Sequence, residues 1–210
     1  MPFGSSQWMY NSGADFYNGV STQSLRFDDG SSADLTKTFG SGNQKTWTWS
    51  CWVKRSASGA SKMLLSNYIS GADTAWIYFN ASNQFYFQNY EGGNQLELKT
   101  NALYRDVGAW YHVVVALDTT QATASDRAKI YINGEQITSL ATSTYPSQNA
   151  NLKINTNGES HVIGSNGSQY YFDGYMAEVN FVDGSALDPT SFGEFKNGVW
   201  IPIEYTGSYG

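Results

Sequence analysis

The chain has 210 residues, of which 40% are hydrophobic, 16% aromatic and 14% charged. That balance suits one large β domain with short extensions and excludes a disordered chain, which needs high charge and few aromatics. Twelve Lys and Arg against 18 Asp and Glu leave a net charge of −6, so the basic footprint that captures phosphate backbones is missing and nucleic acid is excluded as a partner.

In chain order, residues 1–20 are rich in Gly, Ser and Asn with isolated aromatics at Trp8, Tyr10, Phe16 and Tyr17, which predicts an N-terminal arm able to dock on its own domain or on a neighbouring subunit. Met1-Pro2-Phe3-Gly4-Ser5-Ser6 lacks the basic and apolar stretches of a secretory signal. No run approaches the roughly 18 apolar residues that span a bilayer, so no membrane insertion is expected. Residues 21–196 read as one sandwich domain. Its strands are expected at Leu25 to Phe27, around Trp47 to Lys54, and at Lys62 to Leu65, Ala75 to Phe79, Phe85 to Gln88, Leu96 to Lys99, Trp110 to Leu117, Ala128 to Ile132, His161 to Ile163 and Tyr175 to Val182. The signal is alternation of period two, because successive side chains on a strand face opposite ways. Trp47, Trp49, Cys51 and Val53 share one face; Thr48, Ser50, Trp52 and Lys54 share the other, where the surroundings of Trp52 stay open. Asn133-Gly134 predicts a two-residue hairpin turn, since both positions there need positive φ. Thr119 to Arg127 is polar and reads as a loop rather than a helical turn. Residues 197–210 are expected to form a C-terminal extension, whose lack of a capping element suits a chain that continues.

Trp110-Tyr111-His112-Val113-Val114-Val115 followed by Ile130-Tyr131-Ile132-Asn133-Gly134 resembles the strand, loop and hairpin signature of laminin-G-like domains. Ile163-Gly164 with Phe172-Asp173-Gly174-Tyr175-Met176-Ala177-Glu178-Val179 resembles the closing half of that pattern. The resemblance implies an all-β, two-sheet antiparallel jelly roll of the concanavalin-A-like type. Longer runs are similar to bacteriophage proteins carrying this lectin-like fold: Ser6 to Tyr10, Thr46 to Arg55, Tyr104 to Val107, Asp118 to Arg127, Glu178 to Gly184 and Asn197 to Gly210. This second resemblance implies a virion surface component (tail fibre, spike, capsid fibre or decoration protein) whose partners are other virion proteins, copies of itself in a trimer, and a host-surface glycan. A soluble calcium-dependent glycan-binding lectin and an endoglycanase are the alternatives.

Retaining glycosidases of this architecture need two carboxylates about 5 to 5.5 Å apart, commonly from one strand. Glu97 stands alone between Leu96 and Leu98, and Glu178 is followed two residues on by Asn180. No catalytic residue is therefore assigned, and the chain is not expected to be an enzyme. Asp28-Asp29, Asp73, Asp173, Asp183 and Asp188 fall in predicted loops and could offer oxygens to calcium. No spacing matches a dedicated loop, so no metal ligand is assigned and calcium remains the one cofactor in question. Trp76, Tyr78, Tyr86 and Tyr90 are the candidate glycan-binding residues, with amides close in sequence. The competing reading makes them cross-strand pairs that fill a core or another subunit's groove. His112 and His161 read as hydrogen-bonded structural histidines, and Cys51 as a small buried hydrophobe.

Overall fold

A computed structural model describes residues 19–210 as two facing antiparallel sheets. The arm expected over residues 1–20 lies outside the described residues except for Gly19 and Val20. The six-stranded sheet runs from edge to edge as β1 (Leu25–Phe27), β13 (Gly174–Asp183), β3 (Thr46–Arg55), β8 (Trp110–Asp118), β9 (Ala128–Ile132) and β10 (Glu135–Gln136). The seven-stranded sheet runs as β11 (Leu140–Thr144), β7 (Asn94–Thr100), β6 (Phe85–Glu91), β5 (Asp73–Phe79), β4 (Lys62–Ser70), β12 (Ser160–Ile163) and β2 (Leu35–Thr38). A separate hairpin joins β14 (Gly193–Lys196) to β15 (Val199–Pro202). The chain is thus an all-β sandwich of the concanavalin-A-like, jelly-roll type.

Alternation builds the core. Trp47, Trp49, Cys51 and Val53 of β3 meet Ile77, Phe79, Phe87, Leu96 and Leu98 of the opposite sheet, all fully buried. Rings bridge the two layers edge to face, as Trp47 does with Phe87 at a centroid separation of 5.6 Å. Each such side chain contributes about 1.5–3 kcal/mol on burial, and with no disulfide the sandwich rests on this packing. The expected hairpin is present: Asn133 and Gly134 take φ of 51° and 84°, and Glu135 pairs with Ile132. Residues 119–127 hold only a single helical turn, Ala124–Asp126.

The outer faces of the two sheets differ. On the seven-stranded sheet buried and half-buried residues alternate from Ala75 to Phe79 along β5 and from Phe85 to Tyr90 along β6. On the six-stranded sheet it is lost, and β3 is buried on both sides from Trp47 to Val53. The C-terminal segment covers it. Thr48 Oγ1 donates to the Ser185 carbonyl and accepts from the Leu187 amide, both at 2.7 Å, while Phe192 packs on Val114 and Val182. Trp200 caps Trp52 and Ala177, so residue 197, where the C-terminal extension was expected to begin, is the turn of a hairpin packed on the domain. Trp52 is therefore buried, by a cover that lies far along the chain. Trp200 also explains the turn glycine, since a Cβ at Gly134 would sit 2.6 Å from the Trp200 ring.

Candidate functional site

One outer face is closed by the chain's own C-terminal segment, which leaves the outer face of the seven-stranded sheet as the broad surface open to a ligand. On β5, Ala75, Ile77 and Phe79 point into the core, and that turns Trp76 and Tyr78 outward. The register sets Tyr86 opposite Tyr78 and Gln88 opposite Trp76. Tyr78 and Tyr86 stack at 5.0 Å, 28° from parallel. Trp76 stands at 89° to Tyr78 with centroids 6.0 Å apart. Lys99, opposite Tyr86 on β7, holds Nζ 5.4 Å from the Tyr86 ring centre.

The structure adds a ring that sequence reasoning missed. Tyr170, 43% exposed, comes from the loop before β13 and lies 6.3 Å from Trp76. The Tyr170 carbonyl accepts from the Met63 amide at 3.0 Å, tying the loop to β4. Asn166 Oδ1 accepts from the Gln169 amide at 2.7 Å and tightens the turn. The Asn166-Gly167 turn signal marked the loop, but nothing local says which sheet face its tyrosine meets.

Polar groups flank the rings. Gln88 Nε2 donates to Asn94 Oδ1 at 2.9 Å, and Asn94 Nδ2 donates to Glu97 Oε2 at 2.6 Å. Burial pushes the Tyr78 hydroxyl well above its ordinary pKa, with Tyr86, Glu97 and Tyr170 adding to the shift, so it remains a neutral donor and acceptor. Among the described strand residues that face outward with Trp76 and Tyr78, Glu97 is the one carboxylate. Of the four residues singled out in the sequence, Trp76, Tyr78 and Tyr86 form one continuous strip. Tyr90 shares the face but sits at its far end, opposite Thr74 and Asn94. It makes no ring contact with the strip among the described residues. None of the four fills the sandwich core, because each is half-buried on an outer face; Tyr78 and Tyr86 do form a cross-strand pair, as the competing reading has it.

The loop aspartates are mostly engaged in holding the fold. Asp183 Oδ1 accepts from the Asn43 amide and Asn155 Nδ2, Asp188 caps the Thr190 amide, and Asp73 lies 3.7 Å from Lys153 Nζ. Asp28, Asp29 and Asp173 do converge, with ligand atoms within 4.8 Å of one another, because the register sets Phe27 against Gly174. Lys62 already pairs with Asp29 at 2.6 Å and Arg26 with Asp173 at 2.7 Å. Calcium, the metal in question, would have to compete with both cations there, and the arrangement fits a salt-bridged corner better than a coordination shell of six to eight oxygens.

Both histidines are structural. Trp200 Nε1 donates to His112 Nδ1 at 2.9 Å, so Nε2 carries the proton and meets Ser50 Oγ at 2.9 Å. Burial lowers the His112 pKa to about 3. His161 Nε2 accepts from the Asn155 amide at 2.9 Å while Nδ1 donates to the Glu159 carbonyl at 3.1 Å. Its pKa is lowered to about 4, again by burial. Cys51 is buried, and desolvation pushes its thiol far up. A cleft of about 620 Å³ opens between the sheets near Phe39, Trp49, Phe181 and His161. Of its polar groups, His161, Asn155 and Asp183 bond one another or neighbouring backbone, while Thr36, Lys37 and Ser41 line the outer part of the same cleft.

The profile described as "Concanavalin A-like lectin/glucanases superfamily" matches residues 18–191. The chain belongs to this superfamily. Solved structures agree on the fold of this superfamily member. Domain 4 of AbnA, an extracellular arabinanase from Geobacillus stearothermophilus solved with arabinotriose, is 18% identical at a TM-score of 0.52, over 75% of this chain and 69% of that one. The SAP-like pentraxin of Limulus polyphemus is 15% identical at 0.51, covering 80% and 75%. Mouse laminin alpha1 domains LG4-5 are 15% identical at 0.51, covering 83% of this chain and 45% of that one. At these identities the likeness is one of fold. No curated protein sequence matches the chain.

Proposed function

We propose that this superfamily member is a non-catalytic carbohydrate-binding module that takes a glycan on the outer face of the seven-stranded sheet. The observation that carries the reading is the strip of Tyr170, Trp76, Tyr78 and Tyr86 on the open outer face. Ring faces offer apolar surface to the C–H faces of sugars, and Gln88, Asn94 and the Tyr78 hydroxyl lie beside them for sugar hydroxyls. Aromatic and apolar side chains with a few placed polar groups are the usual lining of a small-ligand site. The lone Glu97 supports binding over hydrolysis, because retaining chemistry needs a second carboxylate about 5 to 5.5 Å away. The arabinotriose bound by domain 4 of AbnA belongs to that protein; here it supports the notion that this fold can hold an oligosaccharide. Purified protein is expected to bind members of a glycan array, to lose that binding in Trp76→Ala with its melting temperature retained, and to release no reducing ends from host polysaccharide. Binding undiminished in the variant, or sustained release, would reject the reading.

The finer reading is a virion surface component, in a tail fibre, spike, capsid fibre or decoration, assembled as a homotrimer with other virion proteins and meeting a host-surface glycan. Its support is the resemblance carried by Thr46 to Arg55, Asp118 to Arg127 and Asn197 to Gly210. Locating the sandwich in a density map of intact particles tests it, and particles lacking the domain would refute it.

A further inference from the structure

The cleft between the sheets lies apart from the aromatic strip, none of whose rings lines it. It opens where the six-stranded sheet runs out. β1 is three residues long and pairs with β13 only as far as Met176, and the edge strand that faces this gap from the other sheet is β2. Past Met176 a bulge shifts the register of β13 on β3 between Ala177 and Asn180. Glu178 takes φ of 48° there, a left-handed backbone that side chains disfavour, and Asn180 Nδ2 holds it by donating to the Glu178 carbonyl at 3.0 Å. Bulges re-aim the side chains beside them, and here Val179 comes to the cleft wall. The register sets Leu35 against Ile163, Lys37 against His161 and Ile163 against Leu65, so the edge strand turns Leu35 and Lys37 to the same inner face as the core residue Leu65. Trp49 and Leu65 make a buried floor, while Leu35 and Val179 stand at the mouth, 51% and 39% exposed. The lining carries two charged side chains. Lys37 makes no ion pair among the described residues. Asp183 lies four residues along β13 from Val179, and its Oδ1 already accepts from the Asn43 amide at 2.8 Å and from Asn155 Nδ2 at 2.7 Å.

We propose that this cleft binds a small anionic amphiphile, a fatty carboxylate of medium chain length, with its tail between Leu35 and Val179 above Trp49 and its carboxylate on Lys37. Three arguments select this occupant. A volume of about 620 Å³ falls within the range of small-molecule sites, about 300–1,000 Å³. The floor is apolar and buried, so the body of the ligand is apolar; the ammonium at the rim has no carboxylate of its own, so the head of the ligand is an anion, and a charge-assisted bond there is stronger than a neutral one. An inward-turned lysine on an edge strand also deters pairing with another strand, which favours a small molecule over the β2 edge of a second copy. The site is independent of the glycan strip and adds a second ligand class to the same domain.

The test is calorimetric titration of the full chain with decanoate below its micelle concentration. Saturable binding of one decanoate per chain is expected, with octanoate, two methylenes shorter, about tenfold weaker. Lys37→Glu should weaken decanoate about tenfold, Trp76→Ala should leave it unchanged, and decyltrimethylammonium, with the same tail and the opposite charge, should not saturate. No saturable uptake, equal affinity for the cationic amphiphile, equal affinity in Lys37→Glu, or a loss in Trp76→Ala that moves the ligand to the outer strip would each overturn the proposal. So would a dimer of the unaltered chain that Leu35→Glu disperses, which assigns the mouth of the cleft to a second copy. Should Lys37→Glu fold poorly, methyl resonances of the unaltered chain decide: decanoate is expected to shift those of Leu35, Ile163 and Val179 and to leave those of Leu103 and Val107 in place, and shifts that spare the cleft overturn the proposal.

Discussion

Trp200→Ala should destabilise the whole sandwich, although the residue lies in a terminal hairpin outside both sheets. Trp200 is 8% exposed and packs on Trp52 and Ala177. Its ring lies beside that of His112, 25° from coplanar with centroids 5.9 Å apart, and donates to its Nδ1 at 2.9 Å. Removing a buried tryptophan costs about 3–5 kcal/mol, and leaving the buried His112 nitrogen without its donor adds about 1–3 kcal/mol. The two overlap, so a loss of about 4–5 kcal/mol is expected. Trp200→Phe keeps most of the ring but not the N–H, and should lose about 1–2 kcal/mol. Urea unfolding at neutral pH reads both, as shifts in midpoint at constant slope. A Trp200→Ala loss below about 1 kcal/mol would refute the idea that the hairpin is an integral cover of the six-stranded sheet.

The buried histidines predict acid sensitivity well above the carboxylate range. Both folded-state pKa values, about 3 for His112 and about 4 for His161, lie below the ordinary 6.5, so the unfolded chain takes up protons first. Their contribution to stability is whole above pH 6.5 and is lost as pH falls toward the folded values, by about 2 kcal/mol per histidine at pH 5. Equal urea midpoints at pH 7 and pH 5 would contradict this. Gly134→Ala should cost about 1–3 kcal/mol, because φ is 84° there and the new Cβ meets the Trp200 ring; a neutral change in melting temperature would speak against that contact. Tyr170→Ala, in an exposed loop position, should weaken glycan binding while changing stability by less than about 0.5 kcal/mol, and a variant that binds as before would remove Tyr170 from the strip.

The two-layer sandwich was legible because its strands alternate: Trp47, Trp49, Cys51 and Val53 on one face, Ile77 and Phe79 against Trp76 and Tyr78. Period two reports which residues share a face, and so placed three of the four aromatics in one strip. It says nothing about what covers a face. The cover on Trp52 comes from Trp200, and the fourth ring of the strip, Tyr170, comes from a distant loop; both depend on long-range packing. Strands β2 and β11 escaped notice because Leu-Thr-Lys-Thr and Leu-Ala-Thr-Ser-Thr are exposed edge strands with little apolar face to read. Asp28, Asp29 and Asp173 meet only through the pairing of β1 with β13, a register no local pattern encodes. Tyr90 was placed on the right face but too far along β6, since alternation fixes the side of a sheet and not the distance along it.

Calorimetric titration of an array-identified glycan into the unaltered chain, Trp76→Ala and a control variant on the covered face, Tyr205→Ala, tests the central claim most directly. Binding to the unaltered chain and the control, with a loss of at least about tenfold in Trp76→Ala, about 1.4 kcal/mol, is the predicted result. Equal affinity in all three proteins would contradict it.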